Sequence, residues 1–203
     1  MNLPPRTIER LSKYRRLLME HMHDKEAHIF SHNLARLLNI TPEQVRRDLM
    51  LIGLTGNHRK GYHIKALVDH IGKTIDSHNP QNIGIIGIGN LGRAVTAFIR
   101  KSGSKLQIVA SFDIDPVKIN HEIAGVHCYP VSEIDKMIKK LNISIAILTV
   151  PPDAAKSIAG ILTDSGIRGI LNLTSVHLDL PEHIYLKDYD IITSLEEIGF
   201  FIK

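Results

Sequence analysis

At 203 residues and 22.7 kDa the chain makes one large domain or two small ones, and 43% hydrophobic against 23% charged residues is ordinary for a soluble globular protein. Its longest apolar stretches, such as Ile143–Val150, fall far short of the ~20 residues a membrane span needs, and a single cysteine, Cys128, excludes an internal disulfide and a Cys-only metal cage. The net charge of +4 is uneven: residues 1–80 hold 13 Lys/Arg against 8 Asp/Glu, residues 81–203 hold 12 against 13, and eight of twelve histidines lie in the first part. A basic front joined to a neutral back suggests one module that meets a polyanion and one that does something else.

The opening MNLPPRTIER has no apolar run behind its charges, so a cytoplasmic location is expected. A first helix is predicted to start near Thr7, with Ile8, Leu11, Leu18 and Met22 on one face. A second follows Ser31, with Leu34, Leu37 and Leu38 inward. Then comes Thr41-Pro42-Glu43-Gln44, where Thr41 caps, Pro42 suits the first helical position and Gln44 holds the capping-box return position. Val45, Leu49 and Ile52 face the core of that third helix, which leaves Gln44, Arg46 and Arg47 outward, and Gly53 ends it.

Two helices separated by Asn39-Ile40-Thr41, the second presenting long donors, have the layout of a helix-turn-helix. Arginine can fork onto guanine and glutamine can bracket adenine in the major groove. Arg59 and Lys60, with His58, form a basic turn among Gly53, Gly56 and Gly61 that could lie on the DNA backbone as a wing. The plainer alternative is a three-helix domain whose arginines keep its surface soluble. His21, His23, His28 and His32 read as a solvated basic face, and no metal site is expected.

Ser77-His78-Asn79-Pro80 marks a break, because Asn-Pro ends helices. Beyond it, Gln81–Ile88 reads as a buried parallel strand leading into Gly87-Ile88-Gly89-Asn90-Leu91-Gly92 and a helix. The three glycines serve a tight turn, the approach of a pyrophosphate and close helix–strand packing. Gln107–Phe112 is the second strand, and Asp113 follows 21 residues past Gly92, where a carboxylate brackets ribose hydroxyls and would repel a 2′-phosphate. NAD(H) is therefore expected rather than its phosphorylated form. Further strands are predicted at Val126–Tyr129, Ser144–Val150, Gly169–Leu173 and Asp190–Thr193, with helices at Ser132–Leu141, Asp153–Thr163 and Ser194–Ile202. The fold class is thus α/β: a winged helix-turn-helix domain over 1–78, a doubly wound parallel Rossmann domain over 82–193 and a C-terminal helix over 194–203. Val150 and Pro151 fall at a strand's carboxyl end, where such sheets bind ligands.

No catalytic residue is expected. A dehydrogenase needs a general acid or base and a substrate domain, whereas His121, His127, His177 and His183 lack an obvious carboxylate partner and no Tyr-x-x-x-Lys pair occurs. Cys128 reads as a small core hydrophobe, and the amphipathic tail of Leu195, Ile198, Phe200 and Phe201 is marginal alone and wants a partner surface. An NAD-dependent oxidoreductase of unknown substrate, or a regulator responding to another nucleotide such as CoA, remains the alternative to a cofactor that is sensed and not consumed.

The ordered set Leu34-Ala35-Arg36-Leu37-Leu38, Gln44-Val45-Arg46-Arg47-Asp48-Leu49, Gly61-Tyr62, Gly87–Gly92, Phe112-Asp113-Ile114-Asp115-Pro116, Thr149-Val150-Pro151 and Gly166–Asn172 resembles the redox-sensing transcriptional repressor Rex family over the whole chain. The resemblance implies a homodimer that binds palindromic operator DNA when NAD⁺ dominates and leaves it when NADH rises, with each C-terminal helix swapped into its partner. It also implies switch or dimer roles for Arg16 and Asp190, and recognition roles for Arg46 and Arg47. Where the family usually reads Asp-Leu-Ser-Tyr-Phe-Gly, this chain has Asp48-Leu49-Met50-Leu51-Ile52-Gly53, so two hydroxyl donors are gone and either a different operator preference or weaker DNA binding is expected. Phe98 stands where a tyrosine is usual, which removes a hydroxyl that could reach Asp190, and Leu173-Thr174-Ser175 replaces a usual Phe-Ala-Pro.

Overall fold

The computed structural model describes residues 3–20, 28–57, 59–77, 80–102 and 105–202. The chain divides into two compact units, residues 1–77 and 78–203. The first holds α1 (Pro5–Glu20), β1 (His28–Ile29), α2 (Ser31–Leu38), α3 (Pro42–Leu51), β2 (Tyr62–His63) and α4 (Ile64–Ile75). The buried stripe of α1 is Thr7, Leu11, Tyr14 and Leu18; Ile8 is half-buried, and the expected Met22 lies outside the described residues. With Leu34 and Ala35 of α2, Val45, Leu49 and Ile52, and Ile64, Leu67 and Ile71 of α4, these close one apolar core. Each buried Leu or Ile contributes on the order of 1.5–3 kcal/mol. α4 is an element not expected from the sequence, although its apolar stripe Ile64, Leu67 and Ile71 is legible at i, i+3, i+7.

The α2–α3 turn is set by local chemistry. Asn39 adopts the left-handed conformation, and the Asn39 and Ile40 N–H groups close on the Arg36 and Ala35 carbonyls. Thr41 caps α3 by accepting from the Gln44 N–H at 3.2 Å, with Pro42 opening the helix. At the other end the Gly53 N–H reaches the Met50 carbonyl and the Leu54 N–H reaches Leu49, a Schellman closure. The wing is a tight turn bridged at Asn57 and Gly61. A side chain at Gly61 would put its Cβ 2.4 Å from the Ile29 carbonyl oxygen, so only glycine lets these backbones cross.

The inner face of α3 also carries a charge. Asp48 is fully buried and accepts from Arg10 Nε (2.6 Å) and Nη2 (2.8 Å), the Tyr14 hydroxyl (2.7 Å) and Gln44 Nε2 (2.9 Å). Burial alone would raise its pKa; the donors, Arg10 first, outweigh this and hold the carboxyl below the usual carboxylate range. Burial and the adjacent carboxylate push the Tyr14 phenol far up, so it stays a donor.

The second unit is a sheet of β3 (Gln81–Ile86), β4 (Leu106–Asp113), β5 (Glu122–Ile123), β6 (Val126–Pro130), β7 (Ile143–Leu148), β8 (Gly169–Asn172) and β9 (Tyr185–Asp188). Its order among the described residues is β5-β6-β4-β3-β7-β8-β9, parallel throughout except for the β5–β6 hairpin at one edge. The chain leaves β3 toward β4 on one side and resumes with β7 on the other, the switch point of a doubly wound sheet. α6 (Ile134–Lys140) and α7 (Pro152–Asp164) pack on one face against Ile86, Phe112 and Leu148. α5 (Asn90–Lys101) covers the other, over Ile83, Ile85, Ile88 and Ile147. Cys128 is fully buried in that second cluster, where burial pushes its thiol up and away from the reactive thiolate.

One element differs from expectation. Asp190–Thr193 is not a strand; the last strand is Tyr185–Asp188, paired with Gly169–Asn172. Asp190 instead caps α8 (Ile191–Phe201), accepting from the Ile192 and Thr193 N–H groups, so the terminal helix begins three residues before the predicted Ser194. None of the α8 residues Ile191, Ile192, Leu195, Ile198, Phe200 and Phe201 is buried.

Asp48→Asn is expected to cost about 2–4 kcal/mol, because it leaves Arg10 without its buried counter-charge. Since the folded carboxyl is held low, its stabilisation is complete above the ordinary carboxylate pKa of about 4 and is lost as pH falls through the lower folded value. Urea unfolding should therefore weaken less between pH ~5 and ~2 in Asp48→Asn than in the native chain; equal acid sensitivity would assign the loss to other groups.

Candidate functional site

The Gly87–Gly92 loop joins β3 to α5 at the switch point. Gly87 has φ +90 and donates its N–H to the Phe112 carbonyl at 2.7 Å; a Cβ there would lie 2.7 Å from the Thr149 carbonyl oxygen. A Cβ at Gly92 would lie 2.2 Å from the Gly87 carbonyl oxygen, so α5 rests directly on the turn. At Gly89 a Cβ would meet nothing within 4 Å, and that residue is the N-cap of α5. The open side of the loop therefore has the room and the free helix-terminal N–H groups that a pyrophosphate requires. Asn90 and Leu91, the first residues of α5, are exposed there.

β7 supplies the opposite wall. Thr149 donates its hydroxyl to the Gly87 carbonyl at 2.6 Å, and Val150 packs within 3.0 Å of where a Gly87 Cβ would be. Pro151, exposed, precedes the first turn of α7. Val150 and Pro151 are the expected ligand-flanking residues; Thr149, which belongs to the same Thr149-Val150-Pro151 motif, has no expected site role, yet its hydroxyl ties the two strand ends together.

Asp113 ends β4 and is 7% exposed. Its Oδ2 accepts from the Ile88 N–H (3.0 Å) and from Lys118 Nζ (3.1 Å), and its Oδ1 accepts from the Asp115 N–H (3.0 Å). Burial alone would raise its pKa, but these donors outweigh it and keep the carboxyl below the usual range. An ionised carboxylate fixed to the glycine loop is an acceptor for ribose hydroxyls and a poor neighbour for a phosphate. Lys118, which the sequence reading does not single out, also lies 3.4 Å from Asp115. Its only sequence signal is a cation five residues past the carboxylate.

In the first unit the expected DNA-facing residues separate. Gln44 does not make the capping-box return; its amide donates to buried Asp48, because a buried carboxylate needs the donor more than an exposed helix end does. Arg46 is exposed yet tied to Glu43 (2.6 Å) and Ser31 (3.1 Å). Arg47 is exposed and, among the described residues, meets no hydrogen-bonding partner. Arg59 and Lys60 are exposed at the wing tip, where their N–H groups are held by the Asn57 side chain; His58 lies outside the described residues. His28 meets His63 edge-on and His32 stacks on Phe30, while His21 and His23 lie outside the described residues.

Arg16 is exposed on α1. Phe98 is 69% exposed on α5, on the same helix as exposed Leu91. Asp190 accepts from the Thr193 hydroxyl and N–H and the Ile192 N–H, which hold it below the usual range.

Two family models match the chain: "CoA binding domain" over residues 78–176 and "Putative DNA-binding protein N-terminus" over residues 2–49. The chain is 33% identical over 201 residues to a redox-sensing transcriptional repressor Rex of Bacillus licheniformis, covering 99% of this chain and 94% of that one. It is 34% identical to the Rex of Leuconostoc citreum, covering 98% and 93%. Among solved structures it is similar to RSP, a Rex-family repressor, in complex with β-NAD⁺ and operator DNA, with a TM-score of 0.89, 29% identity and coverage of 100% and 93%. The complex of RSP with β-NADH gives a TM-score of 0.87 at 28% identity, covering 100% and 95%. Near-complete coverage at a third of residues identical, with both halves in the same order, places this chain in the redox-sensing transcriptional repressor Rex family.

Proposed function

We propose that this protein is a cytoplasmic redox-sensing transcriptional repressor and not an enzyme. It binds a palindromic operator as a homodimer and releases it when NADH occupies the second unit. The observation that carries this reading is the carboxylate of Asp113 fixed against the open glycine loop, in one chain with a capped helix that presents Arg47 outward. Gly89, Asn90 and Leu91 would face the pyrophosphate at the α5 terminus, while Gly87, Ile88 and Gly92 shape the turn that holds it there. Asp113 would take the ribose hydroxyls, and Val150 and Pro151 would flank the ligand at the β7 end. When bound, NAD(H) supplies a redox-dependent nicotinamide; the chain's residues orient it and convert its occupancy into a conformational preference. Only a difference in affinity of NADH between the DNA-competent and released states can drive the switch.

Arg47, with Arg46, would contact the major groove, and Arg59 and Lys60 the flanking phosphates. Arg16 and Asp190 are the proposed switch residues. Phe98 on α5 and the uncovered apolar side chains of α8 support a second copy as their cover: a short helix with no buried residue is unstable alone.

A CoA-responsive regulator is a second reading, favoured by the description of the family model over residues 78–176. Asp113 opposes it, because a ribose phosphate gains nothing beside an ionised carboxylate.

Fluorescence anisotropy on palindromic DNA from the protein's own promoter region, at fixed salt, tests the function directly. NADH should release the DNA at far lower concentration than NAD⁺, and CoA should have no effect; indifference to both dinucleotides would refute the sensor. Asp113→Ala should weaken NADH binding about 10- to 100-fold, the value of hydrogen bonds to a charged acceptor, while apo DNA binding persists. Unchanged NADH affinity would remove the ribose role. Leu195→Asp combined with Ile198→Asp should convert the dimer to monomer in sedimentation velocity without unfolding either unit; a persistent dimer would place the interface elsewhere.

A further inference from the structure

α3 exposes two apolar residues beside its cations. Met50 is 63% and Leu51 43% exposed, and with Glu43, Arg46 and Arg47 they line an open groove of about 530 Å³. The other outward polar groups of the helix are engaged: Gln44 serves Asp48, and Arg46 is held by Glu43 and Ser31. The outer face thus offers one unengaged guanidinium, Arg47, with a thioether at i+3 and a branched alkyl group at i+4. The Schellman closure at Gly53 fixes the last turn, so both apolar side chains belong to the rigid helix.

Under the operator-binding reading, on which this assignment rests, the outer face of α3 enters the major groove. The charge agrees: the groove on α3 borders two arginines in the basic part of the chain. The major groove of DNA presents hydrogen-bonding edges almost everywhere, and its one apolar feature is the C5-methyl of thymine. Three residues of helix rise about 4.5 Å, close to the ~3.4 Å that separates successive base pairs. A side chain at Met50 therefore falls within one or two base pairs of the site of Arg47.

We propose that Met50 and Leu51 are specificity residues that read thymine methyl groups in the operator, close to the base pair met by Arg47. Neither side chain carries a hydrogen-bond donor, so what they offer a base edge is burial of methyl surface. The operator preference then shifts toward thymine at those positions.

The test uses the full chain and leaves the protein unaltered in its first arm. An operator is selected from a palindromic random library, and each thymine of a half-site is replaced in turn by deoxyuridine, which lacks only the methyl. One or two positions per half-site should lose about four-fold in affinity, the worth of one buried carbon group. Met50→Ser should abolish that thymine–uracil difference at one position and leave the salt slope unchanged. Equal affinity for thymine and uracil at every position of a bound operator overturns this proposal and leaves the repressor reading standing. Failure to retain any DNA overturns both. If Met50→Ser instead splits the dimer in sedimentation velocity, the face is a contact between copies and the proposal is wrong.

Discussion

Removing a carboxylate from water costs several kcal/mol unless donors replace the water, and Asp48 meets that requirement with four of them. Three come from α1 and one from α3 itself. The result is directional in a way that apolar packing is not: Arg10 and Tyr14 fix both the distance and the rotation of α3 about its axis. That rotation decides which residues face outward. It draws Gln44 inward and leaves Arg47, Met50 and Leu51 on the surface.

The second unit relies on close approach instead of charge. The α5 helix meets the β3 end with no side chain between them, since a Cβ at Gly92 would strike the Gly87 carbonyl. The Thr149 hydroxyl then locks the same carbonyl from the neighbouring strand. Loop, helix terminus and β7 end are held together before any ligand arrives, which is what a site for a flexible dinucleotide needs.

Much of this is legible in the sequence because periodicity and local chemistry agree. The Thr41–Pro42 start of α3, its Val45–Leu49–Ile52 face and the glycine spacing around Gly87 each depend on neighbours in sequence. The failures are of a different kind. Gln44 is expected outward because a capping box and an exposed helix face are local patterns, while its actual partner, Asp48, is dictated by Arg10, 38 residues away. Asp190 is expected in a strand because Ile191 and Ile192 are β-branched. Its carboxylate captures their helix end instead, and the tertiary pairing of β8 falls on Tyr185–Asp188. Lys118 carries no motif of its own, and only the sheet brings it, and the Thr149 hydroxyl, to the glycine loop.

The pairing of Lys118 with Asp113 and Asp115 has an electrostatic consequence for ligand choice. With the ammonium between them, two carboxylates present the field of little more than one charge to an approaching dinucleotide, whose own phosphates are anionic. Long-range repulsion is muted, while at contact range the fixed oxygen lone pairs still distinguish a hydroxyl from a phosphate. In the ribose role proposed for Asp113, discrimination between nucleotides would be confined to the last few ångströms of binding and would act on the lifetime of the complex more than on the rate of encounter.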